Sequence, residues 1–366
     1  MSRGFISFVF LSAAFHAVAT PQFAREYDLP CARCHIHVPK LNDFGERFLA
    51  AGYRLPDARK IETTPLAVWT SALAQNRGAE PERFKTIPNR IELVAAGNVG
   101  ESSYFVEWRL LSREFLSDMS VRDRSGRFED LFVLLPLNGL TLQVGQFRAL
   151  SQIDVSRRLN LAEPAALSSS LAGRPDSDAR TQSLRGFSLA GRAPSVRLHS
   201  ERNGWNTVIT MPLPGELSLP LTEEARRTAS FELEASPKGM LLEGYRRKGV
   251  DSYGAHIFTG DNRRLLVGAA TQQRVGDVWL EATVNRAEVR GAHEWRGSLG
   301  VEFIPTEVFA LGVRVDHRWL PGQRPTALPF LSLLGPFGEQ AAKLVLEARL
   351  QEGRRPRLVG ELSWMF

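Results

Sequence analysis

"DVWLEATVNR", residues 277–286, alternates with a period of two: Val278, Leu280, Ala282 and Val284 on one face, Asp277, Glu281, Thr283 and Asn285 on the other. "KLVLEARLQ", residues 343–351, repeats the pattern, with Leu344, Leu346, Ala348 and Leu350 against Lys343, Glu347, Arg349 and Gln351. So does "ALGVRVDHRW", residues 310–319, where Leu311, Val313 and Val315 oppose Arg314, Asp316 and Arg318. Successive side chains leave opposite faces of a pleated backbone, so each stretch is a strand with one apolar face. The apolar faces are smooth and aliphatic, and the polar faces carry both charge signs. In a soluble sandwich the apolar faces pack on each other. In an outer-membrane barrel they meet lipid, and the charges line a wet or plugged lumen. A large secreted β-sandwich or propeller is the competing reading, but no blade-length repeat supports it.

Three features outside these strands favour the barrel. Short turns such as "PLNG" (136–139), "SPKG" (236–239) and "TGDN" (259–262) join neighbouring strands, as in an up-and-down meander. Trp69, Trp108, Trp279, Trp295, Trp319 and Trp364 lie near strand ends, where an interfacial girdle places them. The chain ends "RLVGELSWMF", with Leu358, Leu362, Trp364 and Phe366 on one face. About seventeen strand-length segments run from 66–75, 88–98, 102–113, 127–135 and 140–148 to 355–366, and single-chain bacterial barrels have even numbers. The expectation is all-β: an up-and-down antiparallel barrel of sixteen strands, with fourteen or eighteen as neighbours. Residues 149–183 are too long for a turn and are expected as an outward loop, with an inward constriction as the alternative.

Composition agrees. Forty-six basic and 40 acidic residues give a net charge of +6, but they are interspersed, so no basic block tracks a phosphate backbone and no nucleic-acid partner is expected. Arg3, the apolar run from Gly4 to Phe15 and Ala17-Val18-Ala19 read as a signal peptide over 1–19, with the mature chain starting at Thr20. The run is shorter than the roughly 20 apolar residues that span a bilayer. No later segment reaches that length without charges, so membrane residence rests on strands.

Both cysteines fall in Cys31-Ala32-Arg33-Cys34-His35, the attachment pattern of c-type haem. Two thiols at this spacing add across the porphyrin vinyl groups, and the next residue's imidazole reaches the iron from the same side. A Cys31–Cys34 disulfide is the alternative in an exported protein, although no βαβ pattern of a thioredoxin-like site surrounds it. In "KLNDFGERFLAAGYRLP" (40–56), Leu41, Phe44, Phe48 and Leu49 recur at helical spacing, with Gly52 as a left-handed cap. Phe44 and Phe48 are candidates for packing on the haem. His37 is too close to His35 to reach the opposite iron face and is expected at the surface. So small a unit rarely stands alone. The expected organisation is a signal peptide at 1–19, a monohaem head or plug at 20–57 and a transmembrane barrel at 58–366.

A haem motif just behind a signal peptide and just ahead of a barrel resembles the fused monohaem cytochrome–porin family, known as the outer-membrane iron oxidases of iron-oxidising bacteria. The similarity is densest in "PQFAREYDLPCARCHIHVPKLNDFGERFLAAGYRLP" (21–56), and is architectural in "VGQFR" (144–148) and Phe366. The resemblance implies one covalent haem c in the lumen or mouth of an outer-membrane barrel, held by Cys31 and Cys34 with His35 as proximal ligand. It implies an extracellular donor such as Fe(II), a soluble periplasmic cytochrome as acceptor, and hence an Fe(II):cytochrome c oxidoreductase activity. The distal ligand is open among His199, His256 and Met240, with Met119 and Met211 behind them. His293 and His317 read as lipid-side or rim residues. A porin with a structural haem plug and a haem peroxidase are the alternative functions.

Overall fold

The computed structural model describes residues 22–365 apart from 56–60, 62–63, 78–79, 116–118, 154–156, 163, 170–186, 190, 214–216, 227–238, 261–263, 290–291 and 338–339. The expected signal peptide and Phe366 lie outside the described residues. Barrel strands β1–β5 are Leu66–Arg77, Glu80–Val99, Ser102–Phe115, Arg127–Leu137 and Leu140–Arg148. Strands β6–β10 are Arg192–Arg202, Trp205–Pro212, Gly239–Lys248, Asp251–Gly260 and Arg264–Val275. Strands β11–β16 are Val278–Val289, Ala292–Thr306, Phe309–Arg318, Thr326–Phe337, Gln340–Gln351 and Arg357–Met365. Each pairs antiparallel with its sequence neighbours, and β16 closes on β1 with Leu362 opposite Ala72. Among the described residues this is a closed ring of sixteen, with a three-residue strand, Val121–Asp123, beside β3. Closure leaves no unpaired sheet edge, the condition for strands to cross a bilayer.

The alternation divides as expected. Leu280, Leu299, Leu311, Leu346 and Leu358 face outward and exposed, while Glu243, Glu294 and Glu347 face inward and buried. A continuous outer surface of exposed aliphatic side chains is stable only against lipid, so the protein resides in the bacterial outer membrane. Trp205, Trp295 and Trp319 lie on this outer surface. Trp279 corrects the girdle expectation: it shares the inward parity of Glu281 and is 1% exposed, with the Lys40 ammonium 4.5 Å from its ring centroid.

The two ends differ. Turns 100–101, 138–139, 203–204, 249–250, 276–277 and 307–308 are two residues long, whereas connections 119–126 and 319–325, and the strand ends at Arg148 and Arg192, lie at the other end. Asn138-Gly139 and Asn203-Gly204 place both central residues at positive φ, as tight hairpin turns require. The short-turn end is the periplasmic end in bacterial barrels.

The head sits in that mouth. Helix α1 is Gln22–Tyr27, a small hairpin pairs His35–His37 with Lys40–Leu41, and helix α2 is Asp43–Ala50. Asn42 caps α2 by accepting from Gly45 N at 2.9 Å, and the chain leaves the helix through Gly52 at φ +64°. Asp43 accepts from Val250 N at 2.8 Å. Gly52 O accepts from Ser103 Oγ at 2.7 Å, and Arg54 donates to Gly100 O at 3.0 Å. All three partners belong to short turns or adjoining strand ends.

From the other end, the described part of 149–167 runs into the lumen, the constriction and not the outward loop. Its unpaired backbone amides find wall carboxylates: Ser151 N and Gln152 N donate to Glu243 at 2.9 and 3.0 Å, and Leu161 N to Glu347 at 2.8 Å. Leu150, Ile153 and Leu167 pack on Leu241, Phe258 and Leu266, so the lumen contains an apolar core.

Candidate functional site

The Cys-x-x-Cys-His stretch is shaped by short contacts. Cys31–Arg33 forms one 3-10 turn, closed by Cys34 N donating to Cys31 O at 3.1 Å. Asn42 does two jobs. Its carboxamide oxygen caps α2, and its Nδ2 donates to Ala32 O at 3.2 Å and Arg33 O at 3.1 Å. Asn42 N donates to Cys34 O at 2.9 Å. Helix α2 lies so close to this loop that a Cβ on Gly45 would overlap the Cys34 carbonyl. That approach requires a residue without a Cβ at position 45.

A cavity of about 610 Å³ lies between the head and a wall drawn mostly from β3–β8. Cys31, Cys34, His35 and Phe48 line it from the head, and Phe105, Phe132, Phe147 and His199 from the wall. Tyr53, Phe105, Phe132 and Phe147 follow one another with ring centroids 6.0, 5.6 and 6.0 Å apart, giving the wall an aromatic surface. Arg197 and Arg247 add positive charge; Arg197 donates to Gln143 at 3.0 Å and Arg247 to Glu46 at 2.8 Å.

The two thiols are unbridged. Burial pushes both up, so they are protonated near neutral pH. Burial also pushes the His35 imidazole down to about 4, against the opposing pull of the Pro39 backbone. His35 is therefore neutral and keeps a ligand lone pair. Two unbridged thiols and a neutral imidazole on one apolar-walled cavity of cofactor size fit a c-type haem.

The other sequence candidates separate clearly. Phe48 is buried and lines the cavity, whereas Phe44 does not: the Arg33 guanidinium covers its ring at 4.2 Å. His37 is fully buried, not at the surface, with its Nε2 2.8 Å from Ser332 Oγ. Burial, then the Lys343 charge, pushes its pKa down to about 4. His199 lines the cavity together with Arg197 and Glu201. His256 faces the lumen but is held 2.7 Å from Asn285, which in turn bonds Ala166 of the inward segment, and it is outside the cavity. Met240 and Met211 point outward, each 47% exposed, so their sulfurs face lipid. Met119 lies at the long-loop end, its carbonyl accepting from Lys85 at 3.1 Å. His293 is exposed on the outer face, and the His317 ring meets Trp319 at 4.9 Å. Met365 lines the cavity and was missed; its parity with Val359 and Ser363, both buried, was the available signal. Of the wall phenylalanines, Phe105 and Phe132 belong to no motif, whereas Phe147 lies in the "VGQFR" stretch.

No family model matches the chain, and no curated protein matches it. Solved structures do. OmpT of Vibrio cholerae is 10% identical with a TM-score of 0.49, covering 84% of this chain and 99% of its own. An anion-selective porin from Comamonas acidovorans is 10% identical with a TM-score of 0.49, covering 82% and 97%. Pseudomonas aeruginosa OccK2, solved with glucuronate, is 11% identical with a TM-score of 0.46, covering 82% and 96%. The sixteen-stranded closure and the lipid-facing surface independently make this chain a porin-like barrel of the outer membrane.

Proposed function

We propose that this protein carries one covalent haem c in the periplasmic mouth of its barrel and passes electrons across the outer membrane. The observation behind this reading is the shared cavity: Cys31, Cys34 and His35 open onto one space whose far wall is aromatic. Cys31 and Cys34 would hold the haem, and His35 would ligate its iron. The haem supplies an iron that cycles between two oxidation states at a potential set by its ligands and surroundings. The chain's own residues position that group. Asn42 and Gly45 fix the attachment loop, and the Phe105–Phe132–Phe147 wall keeps water from one side. A bilayer core roughly 30 Å thick is too wide for one rapid electron step, and a redox centre within the barrel divides the distance. Extracellular Fe(II) or another reductant is the proposed donor, and a soluble periplasmic cytochrome the proposed acceptor. Purified protein should show a c-type spectrum, and added Fe(II) should reduce the haem. A protein from cells that mature c-type cytochromes but without covalent haem would end this reading.

One observation favours a second reading. A closed ring of sixteen strands is of the size at which porins leave an aqueous channel, and such a barrel transports solutes with the head as a plug. The contacts of the inward segment with Glu243 and Glu347 bear on it by placing that segment inside the lumen, where it narrows the path. Large, stable single-channel conductance from the intact chain with a redox-silent haem would favour the channel.

A further inference from the structure

Three of the described histidines and methionines line the cavity: His35, His199 and Met365. Their places around the ring differ. The head hairpin is fastened to β12 through the Lys40–Glu302 ion pair and to β14 through His37 and Ser332. In a ring of sixteen, β6 with His199 stands eight strands from β14, on the diametrically opposite wall. Strand β16, with Met365, stands two strands from β14, on the same side as that hairpin. Most of the wall residues lining the cavity come from β3–β8, the His199 side, with Trp69 of β1 and Met365 of β16 completing it.

The imidazole is also prepared. His199 Nε2 lies 2.7 Å from Asn206 Oδ1. Asn206 is buried, and its Nδ2 donates to Gly204 O at 3.3 Å, which fixes the oxygen toward the ring. An amide oxygen only accepts, so Nε2 is the donor in this contact and Nδ1 is the nitrogen left for another partner. Metal-ligating histidines are held in this way, one ring N–H given to a fixed acceptor while the other nitrogen binds.

We propose that His199 is the second axial ligand of the head's haem, across the cavity from His35; this rests on the haem reading above. Asn206 is then a positioning residue, setting the tautomer and basicity of the ligand.

The test uses the full chain with covalent haem, read by visible and electron paramagnetic resonance spectra and by redox titration. The wild type should be six-coordinate and low-spin without a sulfur-to-iron charge-transfer band. His199→Ala should become high-spin, and added imidazole should restore the low-spin spectrum. His199→Met should stay low-spin, gain the sulfur band and shift to higher potential. Asn206→Asp, which leaves the ligand in place, should shift the potential lower because a carboxylate makes the imidazole more basic. Met365→Ala should match the wild type. A haem-loaded His199→Ala with an unchanged low-spin spectrum overturns the ligand assignment alone, as does a high-spin Met365→Ala. An Asn206→Asp protein with unchanged potential overturns the positioning role. A wild-type protein without covalent haem overturns the reading beneath both.

Discussion

Glu46 of the head and Arg247 of the barrel wall form an ion pair at 2.8 Å, and Arg157 of the inward segment pairs with the same carboxylate. One side chain thus ties three parts of the chain together: the haem-motif head, the wall and the segment descending from the opposite end. Glu46 is 9% exposed, so removing it leaves two guanidinium groups facing each other in a poorly solvated space. Losing one partner of a buried pair costs about 3 kcal/mol. Glu46→Ala should loosen the head by roughly that amount, read as faster proteolysis of the head at unchanged barrel migration. Glu46→Gln, which keeps hydrogen-bonding capacity, should lose less. Equal head protection in Glu46→Ala and wild type would show that the junction is held elsewhere.

The barrel was legible because two constraints act on every strand at once: a pleat of period two, and lipid on one face only. Asn138-Gly139, within the expected 136–139 turn, was legible for a local reason, since both central residues take positive φ. Cys31, Cys34 and His35 stand out by their spacing within five residues, and all three line one cavity. What escaped depended on distant partners. His37 is buried because Ser332, far along the chain, meets it. Residues 149–167 look like a polar loop until Glu243 and Glu347 satisfy their amides. Strand β2 begins at Glu80, earlier than its alternation suggests, because "EPERFKTIPNR" follows the register of β1 despite its prolines and a bulge between the partners of Ser71 and Ala72. Trp279 could belong to a girdle or a lumen by composition, and only its parity with Glu281 decides.

Gly45 gives a prediction about the attachment loop. Alanine there would push a methyl group into the Cys34 carbonyl oxygen. Overpacking of this kind costs about 1–3 kcal/mol, and here it displaces α2 from the loop that carries both thiols. Gly45→Ala should lower covalent haem content per barrel, measured by haem absorbance against total protein. Gly244→Ala is the control: a Cβ at Gly244 meets nothing within 4 Å. Equal haem content in both variants would mean that close packing of α2 is not needed for attachment.

His37 predicts acid sensitivity of head docking. Its pKa is held at about 4 in the folded protein, below the ordinary imidazole value of 6.5, chiefly by burial and then by Lys343. Between those two values the undocked head binds a proton that the docked head refuses, so docking is strongest above pH 6.5 and weakens as pH falls toward 4. The full effect is about 3 kcal/mol, at 1.36 kcal/mol for each pH unit. Proteolysis of the head at stepwise lower pH should accelerate across this window. His37→Gln, an uncharged residue that still bonds Ser332, should flatten the profile. A wild-type profile already flat from pH 7 to 4 would remove His37 from the account.

The last prediction tests which face meets lipid. Leu299 lies midway along β12, is 55% exposed, and pairs with Ala282 and Val315. Ser298, the preceding residue, points inward and accepts from Ala166 N of the inward segment at 3.2 Å. A one-residue shift of register would exchange these environments completely. An arginine on the lipid face near the bilayer midplane costs roughly 2–4 kcal/mol, so Leu299→Arg should lower unfolding stability by that much in vesicles. Ser298→Ala removes one hydrogen bond, about 1 kcal/mol, and should act instead on the inward segment, exposing 149–167 to protease while the barrel keeps its stability. Stability unchanged in Leu299→Arg would mean that this surface does not meet hydrocarbon, and the lipid-facing assignment of the alternating strands would fall with it.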